Sequence, residues 1–343
     1  MTISIIMSKD RLEQEHAMLN RLAVGLMDDG TQVIQVVPTH SMIELTPYEQ
    51  SVTLAERTHV PMPVSRLLRK ARRDEIVNTL KKANTTIIAA FGKHATQLAL
   101  DVAPILDVSV LSEVVSMKDA NKTKSSSKIW RWFAATPSIE RAIAKRVGQE
   151  RTALVPLGVA AHDFNEGNKD SPTSNGEFCL TILDAASEPK ATRAILESLS
   201  NEQGIHVFME LRGRHQHRIW QSVQELEMLD RVTCLRDVGE LRLLVAQTNL
   251  IVLSSHKMTV RTVFLEAMRC GVPVICQDIA GFDMLVDEET ALVVKGDWRE
   301  PLHRILHDPD LAARIGTAAS ELVSTHYGSA AQIEAFEAAF SLI

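Results

Sequence analysis

Between Leu250 and Gln277 the chain reads "LIVLSSHKMTVRTVFLEAMRCGVPVICQ": a short apolar strand, a polar loop, an apolar helical run that stops at Gly271, and a second apolar strand led in by Pro273. Strand, helix and strand in so short a passage is the unit from which parallel, helix-covered sheets are built. One residue is out of character. Glu266 lies in the helical run beside Leu265, Met268 and Cys270, which all read as buried. A buried carboxylate is costly without a partner, so Glu266 is expected to meet a donor or to face a cleft.

The same alternation extends in both directions. Toward the N-terminus, Thr2 to Met7 is a β-branched run, and Leu12, Leu19, Leu22, Ala23 and Leu26 recur at helical spacing until Gly30, where a left-handed cap is expected. "TQVIQVVP", "TTIIAAF", "VSVL" and "TALVPLGV" follow as strands, with "KHATQLALDVA" and "PSIERAIAKRVG" as intervening helices. From Asn165 to Glu177 the text "NEGNKDSPTSNGE" is nearly free of large apolar residues and reads as a loop or interdomain connection. The alternation then restarts with "FCLTILD" and a helix from about Pro189 to Leu199, then "IHVFMEL" and a helix through Trp220. "VTCL", a short helix at Glu240 to Ala246 and the opening passage follow, and "TALVV" is the last strand. Asp308 to Ile343 reads as two helices, Ala312 to Thr325 and Ser329 to Phe340, split at "HYG".

At 343 residues there is enough chain for two domains, and 45% apolar with 23% charged residues is a globular composition. A net charge of −6 gives no global case for nucleic acid. The four cysteines, Cys179, Cys234, Cys270 and Cys276, lack metal-ligand spacing and read as packed, reduced thiols. "MTISIIMSKD" lacks the basic leader and long apolar core of a signal peptide, and no run reaches membrane-spanning length, so a cytoplasmic protein is expected. Walker loop, zincin, Cys-x-x-Cys and Gly-x-Ser-x-Gly signatures are missing, which removes the usual support for ATP hydrolysis, zinc proteolysis and serine hydrolysis.

In open parallel sheets ligands bind beyond the carboxyl ends of the strands, where helix N-termini offer free amides to anions. "SSHKMTV" lies at such a place. Ser254, Ser255, Thr259 and Thr262 bring hydroxyls and Arg261 a fixed charge, a set suited to a phosphate or diphosphate; N-capping with a solvated Arg261 is the plainer alternative.

Leu250 to Asp297 resembles the donor-binding segment of retaining family 4 glycosyltransferases with the GT-B fold, in which a Pro-Ser loop leads to a glutamate, Gly-Phe-Gly, a second glutamate in "LEAMACG", and a "PVI" strand. "VPLGVAAHDF", Val155 to Phe164, resembles the family's linker "VIPNGVDxxxF" in spacing, and "ELRGRH" with "RVTCL" resembles its "I-x-G-x-G" and "V-x-F-x-G" stretches. The likeness runs from about Phe133 to Ile343. It implies an α/β GT-B architecture, two Rossmann-like parallel-sheet domains facing each other across a cleft. The implied boundaries are an acceptor-side domain over 1–154, a donor-nucleotide domain over 155–326, and a closing helix over 327–343 that packs back on the first domain.

Residue by residue, the resemblance implies that Glu266 accepts hydrogen bonds from the donor ribose and that Lys190 neutralises the diphosphate. Thr259, Val260 and Thr262 flank the diphosphate, and Gly213 and Leu235 fall in the two donor-domain stretches. Several positions depart from the pattern. Met258 stands where the first glutamate contacts the donor sugar, Thr259-Val260-Arg261 replaces Gly-Phe-Gly, and Ala185 stands where an arginine precedes the lysine. Arg261 is placed in sequence to supply the missing cation. In the first half, "IIMSKDRLEQEH" has no Gly-Gly loop, and the nearest counterpart of the catalytic histidine is Glu113 in "VLSEVVS", which also reads as an ordinary solvated loop carboxylate; His16 and His40 have no assigned place.

The implied activity is transfer of a hexose, with retained anomeric configuration, from a nucleotide-diphosphate sugar to an acceptor hydroxyl on a glycan, a lipid-linked carrier or a protein, with no metal or other cofactor. The alternative is a GT-B protein that has lost the chemistry and acts as a binding or partner subunit in glycan synthesis. An epimerase on the same fold finds no acid/base constellation here. "SRLLRKARRDE" and "KTKSSSKIWRWF" are basic, with Arg66, Arg69, Lys70 and Arg73 on one helical stripe, and suit either water or peripheral contact with an anionic membrane.

Overall fold

The computed structural model describes residues 1–39, 56–60, 69–124, 129–160, 178–236, 238–245 and 247–340. His40, Arg66, residues 161–164 of the linker motif and the Asn165–Glu177 loop lie outside the described residues. The chain forms two compact units, Met1–Gly158 with Gly328–Ile343, and Val159–Tyr327.

Unit 1 holds strands β1 (Thr2–Met7), β2 (Gln32–Pro38), β3 (Glu56–Val60), β4 (Ile87–Phe91), β5 (Ser109–Val114), β6 (Arg131–Ala134) and β7 (Thr152–Leu154). Its helices are α1 (Lys9–Asp28), α2 (Arg69–Lys82), α3 (Lys93–Leu106), α4 (Met117–Ala120) and α5 (Pro137–Val147). The seven strands are parallel in the order β3-β2-β1-β4-β5-β6-β7. Ile6, Ile34, Val36, Ile88 and Val110 form the centre of one apolar layer, closed by Leu98 and Val102 of α3. As the leucine spacing predicts, α1 runs to the turn before Gly30, whose φ of 81° is a conformation costly for other residues.

Unit 2 holds β8 (Phe178–Leu183), β9 (Ile205–Glu210), β10 (Val232–Leu235), β11 (Leu250–Leu253), β12 (Val274–Gln277) and β13 (Leu292–Val294). Its helices are α6 (Pro189–Leu199), α7 (Gln216–Glu225), α8 (Val238–Val245), α9 (Thr262–Arg269), α10 (Arg299–His307) and α11 (Pro309–His326). The order β10-β9-β8-β11-β12-β13 is again all parallel. Strands buried on both faces must be apolar throughout. Accordingly Leu250, Ile251, Val252 and Leu253 are all fully buried, and so are six of the eight residues of α9. Helix α11 lies against the turn after α9 so closely that a Cβ on Gly316 would overlap the Gly271 carbonyl oxygen.

The last helix, α12 (Ser329–Phe340), belongs to unit 1. Phe336, with no exposed surface, meets Phe91 at 6.3 Å and Phe133 at 5.7 Å between ring centroids. Arg131 Nη1 donates to the Ala339 carbonyl at 2.9 Å, and Gly25 is the small residue that leaves room for Ile333.

Two local expectations change. Glu113 is not a loop carboxylate: β5 continues through Val114 and buries it. Cys270, read as buried, ends α9 on the exposed side. The cysteines are free thiols; burial pushes Cys234 up to about 11 and Cys276 up to about 12, and partial desolvation of the sulfur with the nearby Glu266 charge pushes Cys270 up to about 11 despite its exposed side, so these three are not ready nucleophiles.

Candidate functional site

In each sheet the strand order reverses once, between β1 and β4 in unit 1 and between β8 and β11 in unit 2. The loops leaving the two strands at such a reversal part in opposite directions and open a crevice at their carboxyl ends.

In unit 1 this place is filled by the protein itself. Arg11, from the first turn of α1, reaches Glu113 with Nε to Oε2 at 2.8 Å and Nη2 to Oε1 at 2.7 Å, and its Nη1 lies 3.4 Å from Glu15 Oε1. All three are buried, and Gly92 is needed because a Cβ there would collide with Ser8 and Arg11. Burial raises the Glu113 carboxyl; Arg11 pulls it back, but Glu15 and Asp10 add to the rise. The one residue considered for catalysis in this half is thus locked in an ion pair.

In unit 2 the crevice lies between Asp184–Glu188, which leads into α6, and Ser254–Arg261, which leads into α9. The loops are stitched together. Ser254 Oγ donates to the Leu183 carbonyl at 3.3 Å, the His256 amide donates to Glu188 Oε2 at 3.1 Å, and His256 Nδ1 lies 2.8 Å from Glu188 Oε1. Lys190 follows Pro189 in the first turn of α6 and is exposed. Lys257 is exposed on the other loop, and Thr259 is half-buried beside it. Helix α9 starts at Thr262, so the amides of its first turn point toward this edge, on residues that are themselves buried.

Arg261 is not a spare cation. Its side chain, 4% exposed, makes a two-pronged bond to Glu210 at the end of β9, Nη1 to Oε2 at 2.7 Å and Nη2 to Oε1 at 3.0 Å. Glu210 Oε2 also accepts the Asp184 amide at 3.0 Å. Burial acts to raise the Glu210 carboxyl, but Arg261 and that amide outweigh it and hold it below the ordinary range. Asp184 is shifted the other way, raised by burial and by Glu210, with Ser187 opposing. Arg261 therefore ties the ends of β8 and β9 to the start of α9, and the charge lacking at Ala185 is not made up by a free guanidinium.

The greasy helix holds its carboxylate through a residue that sequence reasoning passed over. Arg242 of α8 donates Nη1 to Glu266 Oε1 and Nη2 to Thr262 Oγ1, the latter at 2.6 Å. Glu266 is 1% exposed and Arg242 keeps 13% of its side chain in solvent. The only hint in the sequence is a lone cation inside "LRLLV". Met258 and Val260, at 5% and 0% exposure, pack inward. Gly213 takes φ 98° at the turn after β9, and Leu235 ends β10 as a buried residue, so both lie at the same carboxyl edge, one and two strands from β8 respectively.

Among the described residues no group of three or more His, Cys, Asp or Glu could hold a metal, and no helix is long and apolar enough to cross a membrane.

Residues 191–308 match the family described as Glycosyl transferases group 1. The D-inositol 3-phosphate glycosyltransferase of Pseudarthrobacter chlorophenolicus is 30% identical over 212 residues, covering 55% of this chain and 50% of that protein. Its namesake from Gordonia bronchialis is 32% identical over 99 residues, 27% of this chain and 22% of that protein. The chain thus spans about half or less of the length of these curated relatives. Among solved structures, Anabaena HepE in complex with UDP and glucose has a TM-score of 0.78 at 13% identity, covering 100% of this chain and 99% of that one. Sucrose-phosphate synthase from Thermosynechococcus elongatus has a TM-score of 0.77 at 18% identity, covering 99% and 98%. The chain therefore has the two-unit α/β GT-B fold, and its residues 191–308 match the group 1 glycosyl transferases.

Proposed function

We propose that the protein is a retaining glycosyltransferase that moves a hexose from a nucleotide-diphosphate donor to an acceptor hydroxyl, with Val159–Tyr327 serving the donor and Met1–Gly158 the acceptor. The observation that carries this reading is the carboxyl edge of unit 2 at β8 and β11, where Lys190, immediately before the segment matching glycosyl transferases, converges with Lys257 and the first turn of α9 inside it. As the glycosidic bond to the diphosphate breaks, negative charge grows on the leaving oxygen. The Lys190 ammonium and the free amides around Thr262 and Val263 would stabilise that charge in place, without reorganising. Glu266, fixed by Arg242, would accept a ribose hydroxyl. Arg261, through Glu210, is a positioning residue for the start of α9. The scheme calls for no metal. HepE is described in complex with UDP and glucose, which makes UDP the first nucleotide to test.

A second reading, a partner subunit that binds without catalysing, is favoured by Arg261 being neutralised by Glu210 and by Met258 and Ala185 being buried apolar residues. Calorimetry with UDP, GDP and ADP, followed by a donor-hydrolysis assay, separates the two. Binding with turnover supports transfer, binding without turnover supports the partner subunit, and binding of none refutes both.

A further inference from the structure

A cavity of about 490 Å³ opens on unit 1 where α4 and the residues after it meet α5, well away in sequence from everything assigned to the donor. Arg141, Lys145 and Arg146 line it, with Asn121 and Ser138 as neutral donors and Met117 and Ala142 as its apolar part. Its lining holds three cations and no carboxylate.

The surroundings reinforce this. Residues 117–124 and 137–147 carry six Lys or Arg and two acids, a local balance of +4 in a chain of −6. Both acids are turned to other work: Asp119 accepts Ser116 Oγ at 2.8 Å beside the cap of α4, and Glu140 accepts Gln149 Nε2 at 3.1 Å. The guanidinium groups are oriented beforehand. Arg146 Nε donates to the Thr123 carbonyl at 2.9 Å, and Arg141 Nη2 donates to Ser138 Oγ at 2.8 Å, each leaving further N–H groups for a ligand. Among the described residues no carboxylate pairs with any of the three cations.

We infer that this groove binds a phosphomonoester, held by Arg141, Lys145 and Arg146, with Asn121 and Ser138 bonding the group that carries it. A dianionic phosphate matches two planar guanidinium forks and an ammonium better than a singly charged carboxylate, which would leave more positive charge uncompensated. The volume exceeds what a bare phosphate needs, so the phosphate would arrive on a larger body. That body is either a soluble small molecule or the headgroup of a lipid.

The inference does not depend on sugar transfer, and its test reads unit 1 alone. Full-length protein labelled at its methionine methyl groups would be titrated with glycerol 3-phosphate and, separately, with phosphatidylcholine vesicles containing phosphatidic acid, following the Met117 resonance. A saturable shift with glycerol 3-phosphate assigns a soluble ligand, and a response to the phosphatidic acid vesicles alone assigns a lipid headgroup. In either case the double variant Arg141→Gln, Lys145→Gln should need at least about ten-fold more ligand, as loss of two charge-assisted contacts requires, while Lys145→Arg keeps the response. Both altered residues are exposed, so the fold should persist. An unmoved Met117 resonance with both probes, or an equal response from the double variant, overturns the inference, whatever unit 2 does with nucleotides.

Discussion

Arg261→Met is the most informative single change in unit 2. It removes the guanidinium bonded in two-pronged fashion to Glu210 and leaves a carboxylate, 3% exposed, that still accepts the Asp184 amide. Breaking a buried ion pair by removing one partner costs about 3–5 kcal/mol, because the survivor stays charged in a poorly solvating place. In the intact protein the Glu210 carboxyl is held low, so its contribution is present above the unfolded-state pKa and is lost as pH falls through the folded one. In the variant, burial acts on Glu210 without the guanidinium and pushes it up, so the penalty is greatest at neutral pH and shrinks on acidification. Hydrogen exchange of amides in β8, β9 and the start of α9 reports this locally. Protection there should fall by roughly 10²- to 10⁴-fold at pH 7, with much less difference near pH 4. The companion variant Glu210→Met, Arg261→Met should recover most of the loss, since an apolar pair of similar volume often replaces a buried ion pair at no net cost. A loss below about 1 kcal/mol in the single variant, or one that does not vary with pH, would refute the view that Arg261 is spent on structure.

Three further outcomes are expected. Arg242→Leu should destabilise unit 2 by about 2–3 kcal/mol, less than the full price of a broken buried pair because Arg242 is partly solvated, and should weaken nucleotide binding in calorimetry; unchanged affinity would remove Glu266 from the donor site. In unit 1 the sign is opposite to that at Glu210: Glu113 is raised, so stability declines as pH rises through its folded pKa, and Glu113→Gln should flatten that decline in a denaturant series taken from pH 5 to 8. Gly316→Ala should cost about 1–3 kcal/mol by overpacking, although alanine favours helices, because its Cβ meets the Gly271 carbonyl; a neutral or stabilising result in thermal unfolding would mean that α11 can slide away.

What the sequence discloses is the sheet framework, and the reason is that a strand covered on both faces must be apolar along its whole length. "LIVL", "VPVICQ" and "FCLTILD" therefore announce themselves. Elements that break this rule do not: "ERTHV" forms β3 as a short polar edge strand, and "REPLHRILH" forms α10 with a proline in its first turn. The candidate site was legible as a place, the loops before α6 and α9, but not as a set of bonds. Glu210 and Arg261 are 51 residues apart and Arg242 and Glu266 are 24 apart. Hydrophobic period tells which face of an element is buried, whereas the partner of a buried charge depends on how several elements stack. Arg261 looked available because its anion comes from a different strand, and Glu113 looked solvated because Arg11 lies on the helix after β1.

The return of α12 to the first unit sets an order of events during synthesis. Phe91 and Phe133 are made early but find Phe336 only after the whole of Val159–Tyr327 has been translated. A nascent chain interrupted before Ser329 would hold a finished second unit and a first unit with an uncovered aromatic patch, a species for chaperones and proteases to recognise. Unit 1 is thus completed only after unit 2, and a lesion in residues 329–340 would be felt some two hundred positions upstream, at Arg131 and Phe133, rather than next to it.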